Sequence, residues 1–383
     1  MSTEKSADAP ATGTPERGRV ATAPVFHGIQ ALRFVAALLV VLAHVPSYLR
    51  HQLGVAVPDV PLGAVGVTVF FVISGFVATV VTSRRPPVDW RAFLWRRVVR
   101  IVPLAWTMTT VKLAVAVLDP DQLQRATLTP AYVVLSYAFL PARGSDGIVQ
   151  PLWTVAWTLS FELLFYLLVA VALAWRTAPL RVVTPVCVAL AVAGALRSPT
   201  DWPAWQFHAD PIVLCFPIGM VVGRWATGRA QRSDAGVVAG LMVSWVLTEW
   251  GHGSSLGTVL LLPAAAVVVA GVAASERRTA AVVGRGVLTL GDASYALYLT
   301  HPLVVPVAVA AVGRVLGDRA LEWPRIAVVA LVAVVAVTAA TVASVLVWWT
   351  VDRPVLRALR RLRAPAPPGR RSARSGSGGG PSS

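Results

Sequence analysis

Residues 28–49 read GIQALRFVAALLVVLAHVPSYL. A helix needs about 20 apolar residues to cross the hydrocarbon core of a bilayer, and this run supplies them. It also carries two side chains that hydrocarbon accepts only at a cost, Arg33 and His44. All ten residues between them, FVAALLVVLA, are apolar. The spacing of eleven positions turns a helix through three full turns plus about 20°, so both side chains fall on one face, roughly 16 Å apart along the axis. A cation low and an imidazole high on one stripe suits a pocket that crosses much of the membrane. Each residue also has a plainer reading. Arg33 can snorkel to the surface, and His44 can be a satisfied interior histidine.

Working outward, nine more stretches have the composition of spans: 62–82, 98–118, 155–175, 179–196, 209–227, 234–249, 256–275, 286–311 and 325–349. The apolar run 131–140 is too short to cross and reads as a half-helix or re-entrant piece packed against protein. Of the 383 residues, 56% are hydrophobic and only 14% charged, against about a quarter charged in soluble domains. The expectation is an all-α polytopic membrane protein of about ten transmembrane helices, with the membrane domain occupying 28–351. Residues 1–27 are polar and lack a signal-peptide pattern, and 352–383 are rich in Arg, Pro, Gly and Ser. Both ends are expected to be disordered tails. This composition excludes a disordered chain, a disulfide scaffold and a large extramembrane catalytic domain. The two cysteines, Cys187 and Cys215, sit in apolar runs, read as small buried hydrophobes, and point to no metal or redox site.

The net charge of +16 locates the chain rather than naming a nucleic-acid partner. Divided by the ten spans, and counting Arg100, Arg181, Arg224 and Arg325 near span ends with the adjacent loops, 25 of the 34 positive residues fall on the side of the two termini and 7 on the other, with Arg33 and Lys112 inside spans. The excess of Arg and Lys on cytoplasmic loops then puts both termini in the cytoplasm, in a multi-pass protein of the plasma membrane. Most of the 14 Trp residues lie near predicted span ends, as an aromatic belt requires.

Three other segments carry polar groups where a span should be apolar. In LWTVAWTLSFELLFYLL (152–168), Glu162 lies within about one turn of the depth of His44. A histidine and a carboxylate at one depth can hold each other's protonation states, which would let His44 serve as general base toward a hydroxyl. Trp157, Ser160 and Tyr166 are its neighbours in sequence, and packing alone accounts for the Trp and the Tyr. In WRRVVRIVP (95–103), Arg100 shares a helix face with Arg96 or with Arg97, and two guanidiniums on one face suit phosphate oxygens, although a polybasic loop beside anionic lipid explains them as well. In GDASYALYLTHPLV (291–304), Asp292, Tyr295 and Tyr298 recur at three-residue steps and His301 precedes a helix-kinking proline. That span either lines a cavity or joins helices by hydrogen bonds. Ser74 and Gly75 in FFVISGF (70–76) fit a close helix contact.

Taken in order, Arg33 with His44, FFVISGF, RRVVRIVP (96–103), WTLSFELLFY (157–166) and LGDASYALYLTHP (290–302) resemble the integral-membrane acyltransferase-3 family over nearly the whole hydrophobic chain. That family O-acylates sugars, cell-wall polymers, lipid-linked glycans and some natural products. The resemblance implies a ten-helix enzyme with no bound cofactor, using cytosolic acyl-CoA, commonly acetyl-CoA, as co-substrate. It implies catalytic roles for His44 and Glu162, and acyl-CoA binding by Arg33, Arg97 and Arg100. Pocket-lining positions are expected at Ser74, Trp157, Tyr295, Tyr298 and His301. Two departures stand out. Asp352 occupies the place of a frequent glutamate in VDRP (351–354), and Pro302 follows the histidine where many members carry Trp. The partners expected are acyl-CoA, a hydroxyl-bearing sugar, glycan or natural product, and membrane lipid, with no nucleic acid. A secondary transporter also has about ten spans with charges inside, but transporters tend to repeat in halves, and no repeat is visible here.

Overall fold

A computed structural model describes residues 26–58, 60–84, 87–118, 128–145, 147–198, 202–251, 253–317 and 323–361. The expected disordered tails therefore lie outside the described residues, except for a few residues at their inner ends. Thirteen α-helices and no strand are found among the described residues. They are α1 (His27–Leu53), α2 (Leu62–Thr82), α3 (Trp90–Leu118), α4 (Pro130–Tyr137), α5 (Trp157–Ala174), α6 (Pro179–Ala195) and α7 (Cys215–Ala226). After these come α8 (Arg232–Gly251), α9 (Leu256–Ala274), α10 (Glu276–Val282), α11 (Arg285–Leu316), α12 (Arg325–Val347) and α13 (Arg353–Arg361).

A helix occupies each of the ten expected positions. Seven helical stretches among the described residues are long and apolar enough to cross a membrane. The helices Pro179–Ala195 and Pro211–Ala226 are apolar but shorter. The remaining one, α8, spends three of its positions on Arg232, Asp234 and Glu249. The expected half-helix at 131–140 forms as α4, eight residues long, capped by the Thr129 side chain on the Tyr132 N–H and started by Pro130.

The C-terminal tail needs one correction. Helix continues through a π-helical turn at Trp348–Asp352 into α13, so 352–361 is ordered. Its sequence RPVLRALRR has a reason to be helical: Leu356 is buried on one face while the arginines take the other.

Two apolar seams hold the bundle together. Along α12, Val328, Val332, Ala336, Ala340 and Ser344 are buried at four-residue steps, and they pack against Val41, Val45, Val305 and Val309 of α1 and α11. The other seam is aromatic. Phe216 of α7 stacks on Phe71 of α2 and on Phe165 of α5, with ring centroids 4.6 and 4.5 Å apart. The α2–α7 crossing depends on two glycines. A Cβ on Gly75 would lie 2.1 Å from the Phe216 carbonyl oxygen, and one on Gly219 would lie 1.9 Å from that of Val72. This is the close contact that FFVISGF predicts.

Large apolar side chains face outward along the spans, including Val267, Val334 and Leu247. Exposed Trp175, Trp225, Trp250 and Trp349 lie at or next to helix ends. Both features belong to a protein that meets lipid at its flanks and headgroups at its ends. The chain is a multi-pass membrane protein.

Candidate active site

A cavity of about 350 Å³ opens inside the bundle between α1, α2, α3, α5 and α11. Its cationic lining consists of Arg33 on α1, Arg84 just past α2, Arg96, Arg97 and Arg100 on α3, and Arg360 on α13. Its one carboxylate is Glu162. Six guanidiniums and one carboxylate converge although their positions span most of the chain. The α3 arginines come together because α3 begins at Trp90, a full two turns before the apolar run that the sequence marks as a span.

Each basic group sits differently. Arg100 donates to Asp352 Oδ2 at 2.9 Å and to the Asp292 carbonyl at 3.0 Å, and it stacks over the Tyr295 ring. Asp352 is buried, and the π-helical turn aims it at this guanidinium. Arg97 lies over the rings of Phe93 and Tyr166, with its centre 5.4 and 5.1 Å from their centroids. It has no carboxylate partner among the described residues, so its donors are available to a ligand, whereas much of the Arg100 fork is already used. Arg33 faces the cavity at a depth where it interacts electrostatically with Glu162 and Tyr166.

Glu162 is held on one oxygen. Ser74 Oγ and the Tyr166 hydroxyl both donate to its Oε1, at 2.8 and 2.6 Å. Its Oε2 accepts no hydrogen bond among the described residues and is not sealed off, which leaves it open to the cavity. Tyr166 is its partner through the i, i+4 spacing of α5.

The structure separates Glu162 from His44. His44 Nδ1 lies 2.8 Å from the Val40 carbonyl oxygen, four residues back, and its ring packs edge-on against His301, centroids 4.9 Å apart. His301 is fully buried with Nδ1 3.2 Å from the Leu297 carbonyl oxygen, and its Nε2 has no hydrogen-bond partner. A carbonyl can only accept, so in each histidine Nδ1 donates to it, and in the neutral ring Nε2 holds the lone pair. The partner beside His44 is thus an imidazole and not the expected carboxylate.

Ser74, Tyr295 and Tyr298 line the cavity as expected, while Trp157 and His301 do not. Trp157 is turned about 100° from the lining residue Thr158 and packs on Phe161 instead. Three-residue steps drift by about 60° each, so by His301 the α11 stripe that starts at Tyr295 has turned some 120° away. Tyr295 donates to the Ile101 carbonyl at 2.6 Å, and the Tyr298 hydroxyl meets Thr158 Oγ1 at 2.9 Å and the Val155 carbonyl at 2.8 Å. These contacts fix the inner wall.

The depth of that wall follows from α2. Gly66 abuts Ala36 and Val40 of α1, so the neighbouring lining residue Val67 lies near the level of Val40. His44 is one helical turn further, about 6 Å. The ring of the lining residue Tyr298 has its centroid 6.0 Å from that of His301, which in turn packs on His44. Arg84 and Arg360 escape the sequence reading of the site, while Arg96 belongs to the basic cluster that reading singles out. Arg360 belongs to a stretch taken for tail, and the three- and four-residue spacing of Arg353, Arg357 and Arg360 is the signal that would have put it on a helix.

Comparison with known proteins agrees with this architecture. The family model described as an acyltransferase domain, of the acyltransferase-3 type, matches residues 26–349. The exopolysaccharide production protein ExoZ of Rhizobium meliloti (strain 1021) is 33% identical over 325 residues, covering 80% of this chain and 93% of that protein. No solved structure matches the chain. The basic cavity, the buried motifs that build it and the match over residues 26–349 together make this chain a member of the acyltransferase-3 family, an enzyme transferring acyl groups other than aminoacyl groups.

Proposed function

We propose that the chain carries an acyl group, in the simplest case acetyl, from cytosolic acyl-CoA to a hydroxyl of a carbohydrate, glycolipid or glycosylated natural product. The observation that carries this reading is the cavity lining, six arginines against one carboxylate, at the end of the bundle where α1 begins and α13 ends. Phosphates bound in water-poor surroundings call for such guanidinium forks. The relative's name, an exopolysaccharide production protein, supports a carbohydrate acceptor. The excess of arginines on the terminal side supports both termini in the cytoplasm of a plasma-membrane protein with ten crossings.

In this mechanism the nucleotide phosphates of acyl-CoA rest on Arg97, Arg96, Arg84 and Arg360. Arg100, tied to Asp352, shapes the wall and contributes field. The pantetheine arm runs inward past Arg33, which donates to an amide carbonyl, and Glu162, whose open Oε2 accepts an amide N–H. The thioester reaches the inner wall one turn below His44. His44 Nε2 takes the proton of the acceptor hydroxyl, the oxygen attacks the thioester carbonyl carbon, and the C–S bond breaks. The ester forms, and the CoA thiolate leaves and is protonated. His301 supports the His44 ring by packing. Side-chain movement at Tyr298 opens the last step between cavity and imidazole.

The test is release of free CoA from acetyl-CoA by the purified protein in detergent, with and without candidate acceptors. It is paired with mass spectrometry of glycolipids, envelope glycans and metabolites from a deletion strain. Saturable CoA release that His44→Ala abolishes, together with a lost acyl mass in the strain, supports the proposal. No CoA release and an unchanged acyl profile would sink it.

A further inference from the structure

A second cavity, of about 640 Å³, lies between the end of α2, the start of α6, the end of α7 and the start of α8, and it shares no lining residue with the active-site cavity. Its lining is divided by chemistry. Leu180, Pro185, Met220 and Val237 make an apolar wall, and Arg181, Arg224 and Arg229 supply charge. The one acid in the lining, Asp234, faces Arg224 at 3.3 Å through Oδ1, which is buried and accepts no hydrogen bond among the described residues, while its Oδ2 accepts the Gln231 N–H at 2.9 Å. Arg181 and Arg229 have no side-chain hydrogen bond or ion pair among the described residues. The lining residue Thr184 has its Oγ1 buried with no hydrogen-bond partner. Two uncommitted guanidiniums and a hydroxyl without a partner call for an anionic acceptor.

The apolar wall narrows the choice. A small soluble anion has no use for Leu180 and Met220, and a bare hydrocarbon chain has none for Arg181 and Arg229. The cavity sits where four helices end, at the end of the bundle that holds the start of α1 and the end of α13, an end that spans of this length bring to the headgroups of a bilayer. We infer that it binds the phosphate-bearing headgroup of an anionic membrane lipid. Arg181 and Arg229 hold the phosphate, Thr184 donates its hydroxyl, and Leu180 and Met220 cover the first methylenes of the chain. Basic pockets between spans at the membrane surface hold lipid phosphates by this combination of charge and cover. The lipid is bound and not transformed, so the inference stands apart from the transfer chemistry.

The experiment uses the full chain purified in detergent and titrated with phosphatidylglycerol, phosphatidylcholine or inorganic phosphate, with bound lipid counted by native mass spectrometry. The expected result is saturable phosphatidylglycerol binding and little with phosphatidylcholine. Arg181→Gln with Arg229→Gln should weaken it about thirtyfold, and Thr184→Val by a fewfold. Arg278→Gln, a charge on the same side but outside the cavity, should leave it unchanged. Neither arginine in the double variant has a partner to lose, so its melting temperature without lipid should match that of the parent. Undiminished binding by the double variant overturns the site. So does an equal loss in Arg278→Gln, which would reduce the effect to general surface charge. Inorganic phosphate binding at the same residues as tightly as phosphatidylglycerol would overturn the lipid assignment in favour of a soluble phosphate.

Discussion

Glu162→Gln separates the two roles open to the cavity's one carboxylate. Ser74 and Tyr166 both donate to Oε1. A glutamine side chain can keep its carbonyl oxygen in that place and retain both contacts, so the fold should survive with a melting temperature within a few degrees of the parent. What changes is the other atom. Where Oε2 accepts, the amide presents two N–H donors toward a cavity already lined by six arginines. If Oε2 receives an amide N–H from the pantetheine arm, the substitution removes one hydrogen bond to a charged group, worth about 1.5–3 kcal/mol. At 1.36 kcal/mol per tenfold, kcat/KM should fall roughly 10- to 150-fold, shared between KM and kcat. Steady-state CoA release at several acetyl-CoA concentrations measures both. A kcat/KM within threefold of the parent would refute the role given to Oε2. A loss beyond about 10⁴-fold at constant KM would refute it differently, by returning the carboxylate to the proton path with His44.

Other substitutions probe the remaining parts. Arg97→Ala should raise the acyl-CoA KM about tenfold or more with little change in kcat, and an unchanged KM with lowered kcat would contradict phosphate binding. His44→Ala should cut transfer by about 10²- to 10⁴-fold while the protein still elutes as a monodisperse species, the range expected for loss of a general base. Gly219→Val puts side-chain atoms where the Val72 carbonyl lies. Thermal unfolding in detergent should show destabilisation of roughly 1–3 kcal/mol or failure to accumulate. Asp352→Asn leaves Arg100 without its ion-pair partner in a largely buried place, and unfolding should register a loss of about 3–5 kcal/mol.

The positions of the helices were legible because hydrocarbon leaves the chain little choice. A run such as 62–82 has no other stable form in a bilayer, and the boundary drawn for it from hydropathy coincides with that of α2. Boundaries failed where a helix leaves the membrane. The first two turns of α3 and all of α13 are too basic to look like spans, yet they are helical and carry three of the cavity's six arginines. Within the site, pairings that follow helical spacing were readable, as in Glu162 with Tyr166. Pairings across helices were not. Nothing in VDRP says that Asp352 meets Arg100, since that contact depends on how α12 approaches α3 and on the π-helical turn that rotates the side chain. The sequence reading puts His44 and Glu162 within about one turn of each other in depth. The bond from Ser74, two turns along α2 from Gly66, brings Glu162 nearer the level of Arg33, and His44 packs on His301 instead.

That separation bears on how one protein serves a soluble donor and an acceptor of a different kind. Placing the base beside Glu162 would have set it among six guanidiniums, whose field favours the neutral imidazole and opposes the imidazolium that must form. His44 does not line that cavity, and its ring packs on His301, whose Nδ1 is tied to its own helix. On the proposed mechanism Glu162 serves where a negative charge is useful, beside Arg33 and along the route of a phosphate-bearing substrate. Anion binding and proton abstraction make opposite electrostatic demands. The proposal meets them at two centres on the same face of α1, three turns apart, the spacing of Arg33 and His44.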